Sequence, residues 1–267
     1  MTTSLLPTRF LFRFSAECRY RDPLWTAEGA GLDESYRLPT LAELEGRPVW
    51  ADVRAAWSEA GLALAVHVRG KKQPPWRRAS RPEDSDCLQV WIDTRDVHNV
   101  HRAGRFCHRF VFLAGGDSPD SHVGEGETAH PDVGAATRGA GKKSAAGRPS
   151  KLHQGTVPVF VSAKMGLSPL SLPAPAEPLS INRAREQPNP IRPGLLRACF
   201  QPQGNDYRLE ALIPAEALTG FDPAEHSRLG FTYAVIDREL GQQTFGVGSP
   251  MPYQEDPSLC ATLELAK

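Results

Sequence analysis

The residues best equipped for chemistry lie in one run, Asp93-Thr-Arg-Asp-Val-His-Asn-Val-His-Arg-Ala-Gly-Arg-Phe-Cys-His108. It carries His98, His101 and His108, with Asp93 and Asp96 close by. Neutral imidazole suits Zn, Cu, Ni or Fe, so these three histidines are the candidate ligands of a divalent metal. Their spacing is not the helical pair of H-E-x-x-H. The four guanidiniums of Arg95, Arg102, Arg105 and Arg109 would repel a cation. The same run read for the opposite charge offers Arg95, Arg102 and Arg105 to a small anionic ligand, because guanidinium forks pair with carboxylate or phosphate. The plainer alternative is a solvated basic connection with hydrogen-bonded histidines.

Other polar clusters carry less. His122 and His130 stand among Asp117, Asp120, Glu125, Glu127 and Asp132. Such an acidic, glycine-rich loop offers oxygen ligands to calcium but lacks EF-hand spacing, and reads better as an ordinary polar loop. Glu210 and Asp237 are carboxylates on or at the end of strands, the residue type that runs glycoside hydrolysis, but nothing in the sequence sets a distance between them. No G-x-S-x-G elbow and no phosphate-binding glycine loop is present. Lys142, Lys143, Arg148 and Lys151 read as a solvated linker. The expectation is therefore a protein that binds rather than catalyses.

The elements that must position these residues show a period of two. Candidate strands run Phe10–Phe14, Val49–Trp57, Gly61–Arg69, Cys87–Asp93, Phe106–Leu113, Leu195–Gln201, Tyr207–Ile213, Leu229–Ile236, Gln243–Val247 and Leu259–Leu265. Ser58-Glu-Ala-Gly61 fits a tight hairpin, with Gly61 where positive φ is needed. Leu88, Val90 and Ile92 alternate with Gln89 and Trp91. The end of Phe106–Leu113 is apolar on both faces, which predicts a strand covered on both sides. Helical signals are confined to a turn at Thr40–Glu45 and a short helix at Pro214–Leu218. Residues 114–193 are rich in Gly, Pro, Ser and Ala; they read as a partly flexible insertion with strand character only at Thr156–Ala163. One β-sandwich domain over residues 1–267, jelly-roll-like and antiparallel, is the expected fold.

Composition agrees. The 267 residues are 40% hydrophobic and 23% charged, and Lys plus Arg equals Asp plus Glu at 31 each. That balance argues against a nucleic-acid partner. No apolar run approaches the ~20 residues of a membrane span. Pro7, Arg9 and Arg13 interrupt the N-terminal apolar stretch, and five cysteines without a C-x-x-C pair suit a reducing compartment; both point to the cytoplasm.

Four segments, DCLQVWIDTR (86–95), YRLEALIPAE (207–216), LGFTYAVID (229–237) and DPSLCATLEL (256–265), with Trp57 before a hairpin, resemble the family 9 carbohydrate-binding modules and their DOMON-like relatives. The likeness spans residues 49–113 and 195–265. It implies an antiparallel sandwich that binds sugar, or in some relatives haem, without being a catalyst. The closing segment of that family usually brings an aromatic near its Asp-Pro turn, where this chain has Leu259 and Cys260. Trp91, Trp76, Tyr253 and Phe245 are left as platforms for stacking on a sugar ring. The expected ligand-binding face carries His67, Gln89 and Trp91, and its ligand is a saccharide or a small anion. A scaffold that docks a protein partner through the insertion, and a metal- or haem-binding protein built on His98, His101 and His108, are the alternatives.

Overall fold

The computed structural model describes residues 13–42, 46–78, 81–115, 171–249 and 251–267. Among the described residues twelve strands form one mixed, curled sheet: β1 Ser15–Tyr20, β2 Ala51–Ser58, β3 Gly61–Val68, β4 Cys87–Asp93, β5 Cys107–Leu113, β6 Leu172–Pro173, β7 Ala176–Pro178, β8 Arg197–Gln203, β9 Asp206–Pro214, β10 Arg228–Asp237, β11 Gly241–Thr244 and β12 Ala261–Ala266. The order is β6-β8-β9-β3-β2-β1-β12-β10-β4-β5-β7, with β11 paired to β10. The expected all-β sandwich is present.

Alternation builds the interior. Val53, Ala55 and Trp57 of β2, Leu62, Leu64 and Val66 of β3, and Leu209, Ala211 and Ile213 of β9 face inward from one half. Leu88, Val90 and Ile92 of β4, Phe110 and Phe112 of β5, and Phe231, Tyr233 and Val235 of β10 meet them from the other. Each of these side chains is withdrawn from water, and burial of this kind contributes about 1.5–3 kcal/mol per large apolar residue. The β2–β3 turn closes as expected, with Ser58 opposite Gly61. Gly61 has φ +133°, and a Cβ there would lie 2.2 Å from the Ile213 carbonyl oxygen, so no other residue fits.

Three features depart from expectation. The sheet is not wholly antiparallel: β1 runs parallel to both β2 and β12 and joins the two halves. Alternation tells which side chains share a face but not which way a neighbour runs. Pro214–Leu218 is not a helix of ordinary length; a 3-10 turn, Ala215–Ala217, follows Pro214 as its N-cap. The described end of the expected insertion also contains strands. β6 pairs with β8 and β7 with β5, and only Ala174 and Pro175 separate the two. Backbone bonds from Ala174 to the Ala198 carbonyl and from Leu113 to the Pro175 carbonyl tie this short run to both ends of the sheet. One strap thus covers two edges that would otherwise be open to pairing, and Pro173, Pro175 and Pro178 limit further addition. Those prolines are also why the run reads as loop in the sequence. The expected strands at Phe10–Phe14 (all but Arg13 and Phe14) and Thr156–Ala163, the acidic cluster around His122 and His130, the basic run at Lys142–Lys151 and the second half of Thr40–Glu45 lie outside the described residues.

β5 is covered on both faces, as its composition predicts: Phe110 and Phe112 point into the main core, Val111 and Leu113 into a second cluster with Leu179 and Ile236. All five cysteines are free and buried, and burial pushes their thiols up, Cys107 to about 11. No helix among the described residues is long and apolar enough to cross a membrane.

Candidate functional site

The three histidines do not converge. His108 faces the interior, stacked on Phe110 with ring centroids 6.0 Å apart. Burial pushes its pKa down to about 4. His98 and His101 line a cleft of about 430 Å³ instead, together with Phe14, Met251, Asp256 and Ser258. His98 Nε2 lies 2.9 Å from Asp96 Oδ1 and 3.2 Å from Thr262 Oγ1. His101 Nδ1 lies 3.1 Å from Asp256 Oδ2 and 3.0 Å from Ser258 Oγ. This Ser-His-Asp contact is not a nucleophile relay, which needs the acid on one ring nitrogen and the hydroxyl on the other. Here one nitrogen meets both, and Asp256 caps the turn at Pro257–Leu259 by accepting from the Ser258 amide. Among the described residues no three His, Cys, Asp or Glu side chains surround a common point as metal ligands.

The buried neutral imidazole of His108 has a consequence in acid. Between pH 6.5 and about 4 the unfolded chain binds a proton there that the folded chain does not, so stability falls as pH drops through that window. The full loss from this group is about 3 kcal/mol. Urea midpoints at pH 7 and pH 4.5 will show the decline, and His108→Leu will shrink it; an unchanged slope in that variant refutes the assignment.

The arginines of the same run are partly spent on packing. The Arg95 and Arg105 guanidiniums lie 4.6 and 4.9 Å from the centre of the Phe106 ring. Arg102 Nε donates to the Arg183 carbonyl at 2.8 Å. Gln89 and Trp91 share the outer face of β4, whereas His67 sits on the outer face of β3. Sheet order places β2, β1, β12 and β10 between those strands, and the core separates the two faces. The structure therefore does not bring His67 together with Gln89 and Trp91. Trp91 is covered: Tyr253 meets it edge-on at 5.3 Å, the Arg109 guanidinium lies 5.2 Å from its ring, and the void beside it is about 10 Å³. Gln89 accepts from Arg109 at 2.8 Å.

Of the four candidate platforms, Trp91 and Tyr253 are each 3% exposed and Phe245 is fully buried, while Trp76 is half-buried. Trp76 lines a cleft of about 400 Å³ with Gln73, Pro74, Pro75, Arg238 and Glu239. That volume lies within the range of small-molecule sites, about 300–1,000 Å³. Arg238 lies over the Trp76 ring at 4.8 Å. Glu239 accepts from the Lys72 and Gln73 amides, each at 3.0 Å.

A buried ion cluster holds the cleft's floor. Lys71 Nζ is bound by Asp86, at 3.0 Å, and by Asp237, and all three side chains are at most 1% exposed. Asp86 begins β4's approach and also accepts from the Trp76 amide at 2.9 Å and the Arg238 amide at 2.7 Å. Asp237 ends β10 and accepts from the Glu239 and Leu240 amides at 2.9 Å. Burial disfavours the Lys71 ammonium, but its bonds to Asp237 and Asp86 prevail and its pKa is raised. One lysine thus joins the loop that carries Trp76 to the strand end that carries Arg238. Sequence reasoning named Trp76 as a platform but missed this cluster; the available signal was a pair of aspartates flanking apolar strands, Asp86 before one and Asp237 after another.

The two carboxylates considered for hydrolysis have structural duties. Asp237 binds Lys71, and Glu210 accepts from the Ala30 amide at 3.0 Å, the Gly31 amide at 3.1 Å and Arg208.

A family 9 carbohydrate-binding module from Caldicellulosiruptor kristjanssonii, solved in complex with cellotriose, matches this chain at a TM-score of 0.50 and 11% identity, over 95% of this chain and 94% of that one. The same module in complex with glucose matches at 0.50 and 11%, over 95% of this chain and 97% of that one. At this identity the likeness establishes the fold. No protein-family model and no curated protein sequence matches.

Proposed function

We propose that this chain is a non-catalytic saccharide-binding β-sandwich whose ligand sits in the Trp76 cleft. The observation that carries the reading is Trp76 itself, a solvent-reaching aromatic on a rigid ionic floor, with an arginine, a glutamine and a carboxylate at its margin. A sugar ring presents an apolar face of C–H bonds and an equator of hydroxyls. The aromatic serves the first, and guanidinium donors with carboxylate and amide acceptors serve the second. The fold likeness to a module solved with cellotriose and with glucose supports the same reading.

Titration calorimetry with glucose, cellotriose and unrelated oligosaccharides tests it. Binding is expected, and Trp76→Ala will weaken it about tenfold through loss of a stacking contribution of roughly 1–1.5 kcal/mol. Absence of heat with every saccharide, or equal affinity in Trp76→Ala, sinks the proposal.

A further inference from the structure

A second groove, of about 310 Å³, opens on the outer side of β2 and β3 and is unaccounted for by the Trp76 reading. Trp50 forms part of its wall, and Arg37, Arg54, His67 and Arg69 converge on it with Asp52. The guanidiniums are unequally engaged. Arg54 forks onto Asp52 through Nε at 3.2 Å and Nη2 at 3.0 Å, and its Nη1 donates to the Leu32 carbonyl at 2.9 Å. Asp52 is thereby occupied, and Arg37 reaches it only at 3.8 Å. Arg69 is exposed and has no carboxylate partner among the described residues. His67 Nε2 is buried and has no hydrogen-bond partner among the described residues. Glu34, exposed on the rim, leaves three guanidiniums against two carboxylates.

We infer that this groove is an anion site, taking a carboxylate or sulfate group between Arg69, Arg37 and His67, with Trp50 as the adjoining apolar wall. Guanidiniums match planar carboxylates and tetrahedral oxyanions through paired N–H donors, and such charge-assisted bonds are the stronger class. His67 completes the set. Burial and the nearby Arg208 and Arg54 push its pKa down to about 4, so at neutral pH it is an uncharged ring that places one N–H without adding charge. An aromatic wall beside oxyanion donors suits an acidic sugar, in which a ring carries the anion; a free inorganic anion shares the donors but not the wall.

The experiment titrates the full chain with sodium sulfate, D-glucuronate and D-glucose, read by amide chemical shifts. Sulfate and glucuronate are expected to shift the amides around His67 and Arg69. Arg69→Ala, whose side chain is exposed, should weaken both about tenfold or more, since a charged hydrogen bond contributes roughly 1.5–3 kcal/mol. Arg37→Ala should act in the same direction. Trp76→Ala should leave glucuronate and sulfate unaffected at this groove, which separates the site from the cleft proposed above. Glucuronate tighter than sulfate identifies an acidic sugar as the ligand; equal affinities identify the oxyanion alone. If neither anion binds, or if both bind equally well to Arg69→Ala and Arg37→Ala, the inference fails.

Discussion

Lys71→Met will destabilise the fold by about 3–5 kcal/mol, the usual cost of removing one member of a buried ion cluster. The substitution keeps the side-chain volume and removes the ammonium, leaving Asp86 and Asp237 facing each other out of water. Their remaining partners are the backbone amides of Trp76, Arg238, Glu239 and Leu240, which cannot neutralise two carboxylates. Urea unfolding gives the loss directly, and melting should drop by about 10 °C or more. Adding Asp86→Asn and Asp237→Asn to Lys71→Met removes the unpaired charge and should restore most of the loss. A change below about 1 kcal/mol in the single variant contradicts the cluster's role. The saccharide binding proposed for the Trp76 cleft should weaken along with stability, because the same aspartates hold Trp76 and Arg238.

Glu210→Ala will have an effect of similar size, about 3–5 kcal/mol, on the other half of the molecule. Glu210 is 1% exposed and reaches from β9 to the backbone of the segment that covers the outer face of β2, β3 and β9. Leu24, Ala30 and Leu32 of that segment pack on Ala56, Ala63, Ala65 and Leu212. Removing the carboxylate leaves the Arg208 guanidinium and two amides without their acceptor. Gly29 shows how closely the carboxylate is fitted: at φ +109°, a Cβ there would lie 2.0 Å from Glu210 Oε2. Hydrogen exchange at Ala30 and Gly31 should rise by more than the global stability loss requires, since the covering segment opens locally. Glu210→Gln keeps one acceptor and should lose less, about 1–3 kcal/mol. Unchanged exchange at both amides in Glu210→Ala would show that apolar packing alone holds the segment.

Both variants bear on what could be read before folding. Glu210 and Asp237 stood out as carboxylates at strand positions, and the sequence offered catalysis as one use for them. Their partners, Ala30 and Gly31 for one and Lys71 for the other, lie 166 to 180 positions away along the chain, too far for any local pattern to announce. The histidine run shows the reverse error of proximity. His98, His101 and His108 are neighbours in sequence, but a turn and a change of strand send His108 into the core and the other two toward an open cleft. Trp91 likewise alternates away from the core of its own strand, yet loops carrying Tyr253 and Ile181 cover it.

By itself the sequence determined the all-β class, the inward set of side chains on the main strands and the β2–β3 hairpin at Gly61, because a period of two and a residue requiring positive φ are local properties of the backbone. Tertiary structure decided the parallel placement of β1, the closure of both sheet edges by one proline-rich strap, the engagement of Glu210 and Asp237 in structural bonds, and the exposure of Trp76 in place of Trp91. Each of those depends on which distant segments come to lie side by side, and therefore on the burial of charge and apolar surface across the whole molecule rather than on any short run of residues.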